Sequence, residues 1–570
     1  MFLRRVLFRL LSVLLPLAIT SSLYLYLYPV FHRCAFPLPG DPHGAPISRS
    51  FVNTLRQHIG LQNADEPAIF RLLVLADPQL EGDSSLPKPE NELSARIQQH
   101  WAAIRSAGNE SSSPSPSSSE FPAHRHVYTA LCTALRTLAA DDIPRALRAA
   151  RKRLDLLGND YYLAHIYRTL HWWSRPTHVT VLGDLIGSQW VTDGEFERRG
   201  GRYWGRVFRG GERVGDEVTD SDSEAGRRDL EMLSGAPDNP WARRIINIVG
   251  NHDVGYSGDA SEARLERFER MFGRANWDVR FQHPPLQLDN NRTVITPTLH
   301  LINLNTLTLD APPFSAQVQA ASYAYINDLI LERSYPVEDR TTFTLLLTHL
   351  PLHKPDGVCT DGPYASFFDA DDENSPDGVP RFRAGGLREQ NHLSRDISAS
   401  GVLQGVYGMT GDEDGPAGGW GRNGLILTGH DHTGCDVVHY VDRAATEESD
   451  ASGEGEARTW RWNARRYGEP SEESQPRAPS IREVTLRSMM GEYGGYAGLL
   501  SVWFDADPAV REWRYAITMC SAGVQHVWWA VHVLDVVTVL LVVVYSLLRP
   551  GSGSTRPSPG VQAKEVKGGK

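Results

Sequence analysis

Five short polar blocks stand at the ends of apolar runs and consist of residue types that bind divalent metal ions. In chain order they are Ala76-Asp77-Pro78-Gln79, Gly183-Asp184, Gly250-Asn251-His252-Asp253, Thr348-His349 and Gly429-His430-Asp431-His432. Carboxylate, amide and imidazole donors without a thiolate suit Mn²⁺, Fe²⁺ or Zn²⁺ and argue against a structural zinc built from cysteines. Together the blocks can hold two ions. Two cations ~3.5–4 Å apart need a shared carboxylate, and Asp184, the lone acid of the second block, is the candidate bridge. Such a pair supplies a hydroxide nucleophile at neutral pH and clamps the oxygens of a phosphate ester during in-line attack. His252 is left free to act as an acid.

Buried strands must position these blocks. Phe70 to Ala76, His178 to Leu182, Ile245 to Val249, Phe343 to Leu347 and Leu425 to Leu427 are short, rich in branched residues and closed by turn or metal-type residues, the pattern of strands covered on both faces. Ligands at the carboxyl ends of parallel strands converge on one crevice. Taken singly, Asp77 reads more readily as a turn or helix cap, Gly-Asn-His-Asp as a turn and His349 as a satisfied histidine. The Gly-His-x-His block differs, because an extended segment puts both imidazoles on one side. The five blocks occurring in one order outweigh the separate readings. Tyr128 to Leu157, Tyr161 to Trp173, Ala260 to Phe272 and Ala316 to Glu332 have helical apolar spacing and are expected to cover the sheet.

The blocks resemble the calcineurin-like metallophosphoesterase superfamily, whose pattern is D-x-H, GD, GNH(D/E), a lone His after a strand, and GHxH. The resemblance spans Asp77 to His432. It implies an α/β fold, a β-sandwich flanked by helices. It also implies that Asp77, Asp184 and His432 hold the first metal, and that Asp184, Asn251, His349 and His430 hold the second. By the same resemblance His252 protonates the leaving oxygen and Asp253 orients it. Gln79 departs from the pattern, standing where His is usual, so the first metal loses an imidazole.

Other polar residues carry weaker signals. His353 and Lys354 are equally compatible with phosphate contact and with a solvated loop. The glycine-rich run from Ser488 to Gly498 lines the pocket or merely connects the strands Val484 to Arg487 and Leu499 to Phe504. Trp190 and the stretch Phe196 to Trp204 suggest glycan contact, although an ordinary amphipathic helix is the safer reading.

The chain of 570 residues is 41% hydrophobic and can bury a large core, and the span 67–520 exceeds a usual single domain. The excess lies in inserts near 106–122, 210–238, 369–386 and 444–480, whose Gly, Ser, Pro and Glu content predicts disorder. The net charge of −11 argues against a nucleic-acid partner. Residues 10–31 and 527–548 are apolar enough to cross a ~30 Å hydrocarbon core as a transmembrane helix at each end. The first lacks a clear cleavage site, and a buried helix is the lesser reading of the second. Asp535 inside the second span predicts a partner helix or a face turned to protein, and leaves room for a membrane partner. Arg4, Arg5 and Arg9 before the first span, and the basic residues after the second, make 1–9 and 549–570 cytosolic tails. The lead-in 32–66 and the domain 67–520 are then lumenal. The sequons at Asn109 and Asn291 agree with a glycoprotein lumenal domain. Of the five cysteines Cys34, Cys132, Cys359, Cys435 and Cys520, disulfides are permitted there and at least one thiol stays unpaired within the chain.

With Ala76-Asp77-Pro78-Gln79, Thr180 to Trp190 and Met489 to Tyr496, the chain resembles the fungal endoplasmic-reticulum phosphodiesterases of the GPI-remodelling group. That resemblance implies Mn²⁺-dependent removal of ethanolamine phosphate from a mannose of the GPI glycan, the second mannose being favoured by Gly187-Ser188-Gln189-Trp190. It also implies a multi-pass protein of the endoplasmic-reticulum or Golgi membrane, a GPI-anchored protein or glycolipid as substrate, and a part in export to the Golgi. The ethanolamine ammonium would meet an acid such as Glu492 or Asp361. Two alternatives stay open: a lumenal phosphoesterase with another substrate, and a trafficking receptor in which Gln79 has weakened the first metal.

Overall fold

The computed structural model describes residues 2–39, 51–60, 67–82, 86–110, 124–219, 231–235, 239–288, 293–333, 336–370, 372, 378–444, 459–468 and 478–548. It divides into two units, Met1–Leu27 with His526–Lys570, and Tyr28–Gln525. The terminal unit is a pair of apolar helices, α1 (Phe2–Tyr26) and α12 (Gln525–Leu547), each long enough to cross a membrane. The first starts eight residues earlier than the apolar run, at Phe2 rather than 10, because arginine is a good helix former and Arg4, Arg5 and Arg9 continue the helix. Asp535 finds its partner inside the chain: the Ser22 hydroxyl donates to its carboxylate at 2.8 Å. The Arg4 guanidinium lies 4.9 Å from the ring of Tyr545, so the two helices run antiparallel.

The strands of the larger unit are β1 (Phe70–Leu75), β2 (His178–Val181), β3 (Glu212–Arg213), β4 (Glu231–Met232), β5 (Arg244–Asn247), β6 (Trp277–Gln282), β7 (Leu286–Leu288), β8 (Thr293–Ile295), β9 (Thr298–Asn303), β10 (Thr342–Leu347), β11 (Ala365–Phe367), β12 (Leu387–Gln390), β13 (Gly424–Thr428), β14 (Cys435–Ala444), β15 (Thr459–Arg466), β16 (Ser480–Thr485), β17 (Tyr496–Asp505) and β18 (Glu512–Ser521). One sheet is ordered β18-β17-β1-β2-β5-β3 and the other β15-β14-β16-β13-β10-β9-β6-β4. The centres of both are parallel, through β1, β2 and β5 in the first and β9, β10, β13 and β16 in the second. Phe70, Leu72 and Val74 from β1, Phe343, Leu345 and Leu347 from β10, and Leu425 and Leu427 from β13 belong to one buried cluster. The alternation puts that cluster between two facing sheets, a β-sandwich. Leu73, Leu75, Leu346 and Ile426 point the other way and are also fully buried, which is why these runs read as unbroken apolar sequence.

Helices flank the sandwich: α2 (Tyr28–Phe31), α3 (Phe51–His58), α4 (Leu93–Glu110), α5 (His124–Thr137), α6 (Ile143–Ser174), α7 (Asp193–Arg202), α8 (Asp216–Thr219), α9 (Asn251–Val254), α10 (Glu262–Phe272) and α11 (Ala316–Glu332). Ser261 and Ser315 cap α10 and α11 by accepting from the amides of Arg264 and Val318, the usual stop for an unpaired first-turn donor. The helical spacing expected at 128–157 and 161–173 falls in helices, but the interruption is a π turn at 138–142 and α6 runs unbroken through 158–160. Its second half holds most of its buried residues, Leu163, Ile166 and Leu170 among them.

The described parts of the insert 210–238, expected to be disordered, form β3, α8 and β4. In the insert 369–386, Phe382 stacks on Phe368 at 4.2 Å. A low-complexity composition does not prevent a segment from docking on a neighbouring surface. Residues 111–123, 445–458 and 469–477, which hold much of the other two inserts, lie outside the described residues, as do Asn291 and the side chain of Asn109. The strand expected at 484–487 lies at 480–485 instead, since Leu486 onward turns toward the site. Disulfides join Cys34 to Cys520 and Cys359 to Cys435, leaving Cys132 free and exposed.

Candidate metal centre

All five blocks meet where the carboxyl ends of the two parallel strand sets abut. Asp77, Asp184 and Asn251 follow the neighbours β1, β2 and β5, while His349 and His430 follow the neighbours β10 and β13. The loops are tight. Asp77, Gln79, Asp184 and His430 have φ of 51°, 39°, 53° and 72°, a left-handed conformation uncommon for side-chain-bearing residues that clusters at functional sites. Glycines make the approach possible: a Cβ on Gly250 would collide with the Asp184 amide, and one on Gly183, itself at φ 87°, with the His349 ring. His430 therefore leaves the strand through a left-handed turn, not along the extended segment its spacing suggested. Its imidazole and that of His432 still reach the centre, at two different places.

The first place gathers Asp184, Asn251, His349 and His430. His349 Nδ1 lies 2.8 Å from the Leu182 carbonyl, and His430 Nε2 lies 2.8 Å from the Gln390 carbonyl. Carbonyls only accept, so those nitrogens carry the protons. His349 Nε2 and His430 Nδ1 then present lone pairs, yet they face Asn251 Oδ1 at 2.9 and 3.0 Å. Asp184 Oδ1 is a further 3.4 Å from His349 Nε2. Four acceptors thus converge without a proton between them. Burial pushes the His430 pKa down to about 3 and holds that of His349 below its usual value, so protonation does not supply the missing positive charge. The donor set fits a divalent cation in that role.

The second place gathers Asp77, Gln79, Asp184 and His432. Asp77 Oδ1 accepts from the His430 amide at 3.1 Å, while Asp77 Oδ2 is buried and takes no hydrogen bond among the described residues. Burial, then repulsion from Asp184, lifts the Asp77 pKa well above the usual carboxylate range. An orphaned buried oxygen with this tendency fits a cation ligand. Gln79 Nε2 stands between Asp184 Oδ2 at 2.9 Å and His432 Nε2 at 3.1 Å. Its amide thus fills space that a cation would share with those two atoms. Donor atoms of Asp77, Asp184 and His349 all lie within 4.8 Å of one another, so one centre joins both places.

The resemblance gives Asp253 the orienting of His252; its hydrogen bonds in the structure tie loops together. Its carboxylate accepts from the amides of Ile186 at 2.8 Å, Gly250 at 2.8 Å and Leu185 at 3.2 Å, and none of its hydrogen bonds among the described residues comes from the His252 ring. It pins the Asp184 loop to the Asn251 turn. The His252 ring is partly exposed, with Nε2 3.8 Å from Asp184 Oδ2, and faces a cavity of about 530 Å³. That cavity is walled by Trp190, Phe368 and Phe382, with Asp372, Arg388 and Glu389 also lining it. The 369–386 insert therefore supplies wall residues that sequence reasoning missed; its Phe382 and Asp372 stood among disorder-type residues and carried no pattern. Trp190, weighed as an ordinary helix residue, lies in the wall with the Arg264 guanidinium 4.4 Å from its ring.

Neither Glu492 nor Asp361 lines the cavity; the acids there are Asp372 and Glu389. Lys354 is turned away from solvent, donating to Glu483 at 3.3 Å, so it is not a phosphate contact. His353 lines another cavity, of about 290 Å³. The glycine-rich run does reach the centre: Ser488 donates to the Asp77 carbonyl at 3.0 Å, and the Tyr493 ring lies 4.7 Å from that of His432.

No family model matches the sequence. Among known proteins, the chain is similar to Protein TED1 of Saccharomyces cerevisiae, 32% identical over 421 residues that cover 68% of this chain and 77% of the relative. An uncharacterised protein of Schizosaccharomyces pombe is 25% identical over 419 residues, 69% of this chain and 82% of that one. Metallophosphoesterase 1 of Danio rerio is 23% identical over 302 residues, 50% of this chain and 60% of that one.

Proposed function

This chain belongs to the metallophosphoesterase family that contains yeast Protein TED1, and from that premise we infer that it is a membrane-bound phosphodiesterase removing ethanolamine phosphate from a mannose, the second, of GPI anchors. The observation that carries the hydrolytic part is the convergence of Asp184 Oδ1, Asn251 Oδ1, His349 Nε2 and His430 Nδ1 without a proton. Asp184, Asn251, His349 and His430 would hold one ion, and Asp77, Asp184 and His432 with Gln79 a second, Mn²⁺ suiting both donor sets. When bound, divalent ions supply Lewis acidity to the phosphodiester and lower the pKa of water to the neutral range.

The chain's own residues supply the rest. Water adds to phosphorus and releases a proton to solvent, the bond from phosphorus to the mannose oxygen breaks, and that oxygen takes a proton from His252, which faces the cavity and is reprotonated from solvent. Trp190, Phe368 and Phe382 offer apolar faces to a sugar, and Glu389 and Asp372 offer negative charge to an ammonium. The two terminal helices confine the protein to the surface that holds a lipid-anchored substrate. The disulfides favour an oxidising compartment, in keeping with a lumenal catalytic unit in the endoplasmic reticulum, glycosylated at Asn109 and Asn291 and aiding export of GPI proteins.

Mass spectrometry of GPI glycans from cells lacking the protein tests the substrate. One additional ethanolamine phosphate, removed on restoring the wild-type chain but not Asp184→Asn, is expected; unchanged glycans would refute the substrate while leaving the phosphoesterase reading intact. A second reading, a trafficking receptor with one metal, is favoured by the Gln79 amide between Asp184 and His432. Normal glycans together with slowed export would support it.

A further inference from the structure

The first half of α6 carries an apolar stripe that no part of the described chain covers. Ile143, Leu147, Ala150, Leu154, Leu157 and Tyr161 recur at spacings of three and four, which at 100° per residue keeps them within a narrow arc of the helix. All six are exposed, Leu147 at 65% and Leu154 at 56%, while Ala149 on another face is buried. Across the π turn, α5 adds exposed Tyr128, Leu131 and Leu135. Arg148 and Arg151 stand exposed beside the stripe. Single exposed leucines are ordinary, but a continuous row some ~27 Å long marks an interaction surface.

Chain connectivity says what the surface meets. Beside Tyr161, the Asn159 side chain accepts from Gln525 at 2.7 Å, and the Tyr162 hydroxyl donates to the Gly523 carbonyl at 3.0 Å. Gln525 is the residue from which α12 departs, and the Cys34–Cys520 disulfide ties the segment leaving α1 to the same strand end. One end of the stripe is thereby held beside Gln525, the last residue of the catalytic unit and the first of the apolar helix α12. Branched apolar residues, tyrosines at either end and arginines alongside are the composition of helices that lie in the headgroup layer.

We propose that the outward face of α5 and α6 lies on the bilayer surface, a peripheral contact additional to the two spanning helices. It holds the catalytic unit at a fixed height over the membrane instead of letting it swing on its two tethers, and it does not depend on which lipid-anchored substrate is used.

The full-length chain in nanodiscs of phosphatidylcholine with a minor fraction of phosphatidylserine provides the test. In a Cys132→Ser background, spin labels are placed at Leu147→Cys or Leu154→Cys, and at Asp155→Cys as a control outside the stripe. Power saturation should find the first two more accessible to oxygen than to nickel–EDDA, and the control the reverse. Leu147→Glu should lower the docked fraction, read from a label at Ile143→Cys, by roughly tenfold, the order expected for one buried leucine. Thermal unfolding should not change, because the position is exposed. Nickel–EDDA accessibility at 147 and 154 equal to that at 155 would overturn the proposal. So would spin–spin broadening in discs containing two chains, since the stripe would then be a surface for a second copy.

Discussion

Glu483→Gln should destabilise the catalytic unit by roughly 3 kcal/mol at neutral pH and loosen the metal centre at the same time. Glu483 is fully buried on β16. Its carboxylate accepts from Lys354 Nζ at 3.3 Å, the His439 ring at 2.5 Å, the Leu352 amide at 3.1 Å and the Thr428 hydroxyl at 3.3 Å. Burial alone would raise its pKa, but the Lys354 charge and the His439 hydrogen bond outweigh that and bring it from 4.5 down to about 2. At 1.36 kcal/mol per pH unit, that depression corresponds to roughly 3 kcal/mol. Because the folded pKa lies below the unfolded one, the contribution is complete above about pH 4.5 and drains away as the pH falls toward 2.

The unfolding entropy of about 2.1 cal/mol/K per residue gives the roughly 460 described residues ~1 kcal/mol/K, so the variant should melt about 3 °C lower at pH 7. The deficit should shrink steadily between pH 4.5 and 3. Removing the acid alone strands Lys354, so the double variant Glu483→Gln with Lys354→Met should recover part of the loss. Leu352 and Thr428 flank the ligands His349 and His430, so Mn²⁺ affinity should fall as well. Thermal unfolding followed by tryptophan fluorescence in nanodiscs, from pH 3 to 7, reads the first effect, and metal titration the second. A melting shift below about 1 °C at pH 7, or one that persists undiminished at pH 3, would refute the reasoning.

The metal centre gives three further expectations. Asp184→Asn should lower metal content at both places and turnover by more than about 100-fold; a purified variant retaining its ions and activity would remove Asp184 from the bridge. His252→Ala should leave metal content intact while slowing hydrolysis of an alkyl phosphodiester by ~10²–10⁴, with a smaller loss on an activated aryl ester. Equal losses on both esters would count against proton donation by His252. Gln79→His should strengthen the weaker of two Mn²⁺ binding steps by about 10–100-fold in calorimetry, and an unaltered isotherm would show that the Gln79 amide does not limit that step.

Local chemistry made much of the centre legible. Asp77, Asp184, Asn251, His349, His430 and His432 each terminate or closely follow a buried strand, and strand ends with metal-type residues are a pattern that composition and spacing expose. The grouping of those residues into two ligand sets came from the family resemblance and not from spacing, and the hydrogen bonds of Asp253 were not legible, because its three amide partners lie in two loops 64 or 65 positions apart. The wall of the cavity escaped for a related reason: Asp372 and Phe382 belong to the 369–386 insert, which has no periodicity, and Phe368 and Glu389 flank it. Their neighbours are chosen by docking, not by local propensity.

By itself the sequence determined which residues could carry metal chemistry, which segments would be buried strands or helices, and that each end of the chain carries an apolar helix. These follow from side-chain type and from the periods of strand and helix, which act over a few residues. Tertiary structure decided that two sheets and not one supply the ligands, that Gln79 Nε2 stands between Asp184 and His432, and that the apolar face of α6 looks outward over its first half and inward over its second. A periodic pattern fixes that a helix has an apolar face. What covers that face depends on distant residues brought together by the fold, where packing and desolvation, not sequence neighbourhood, set the energies.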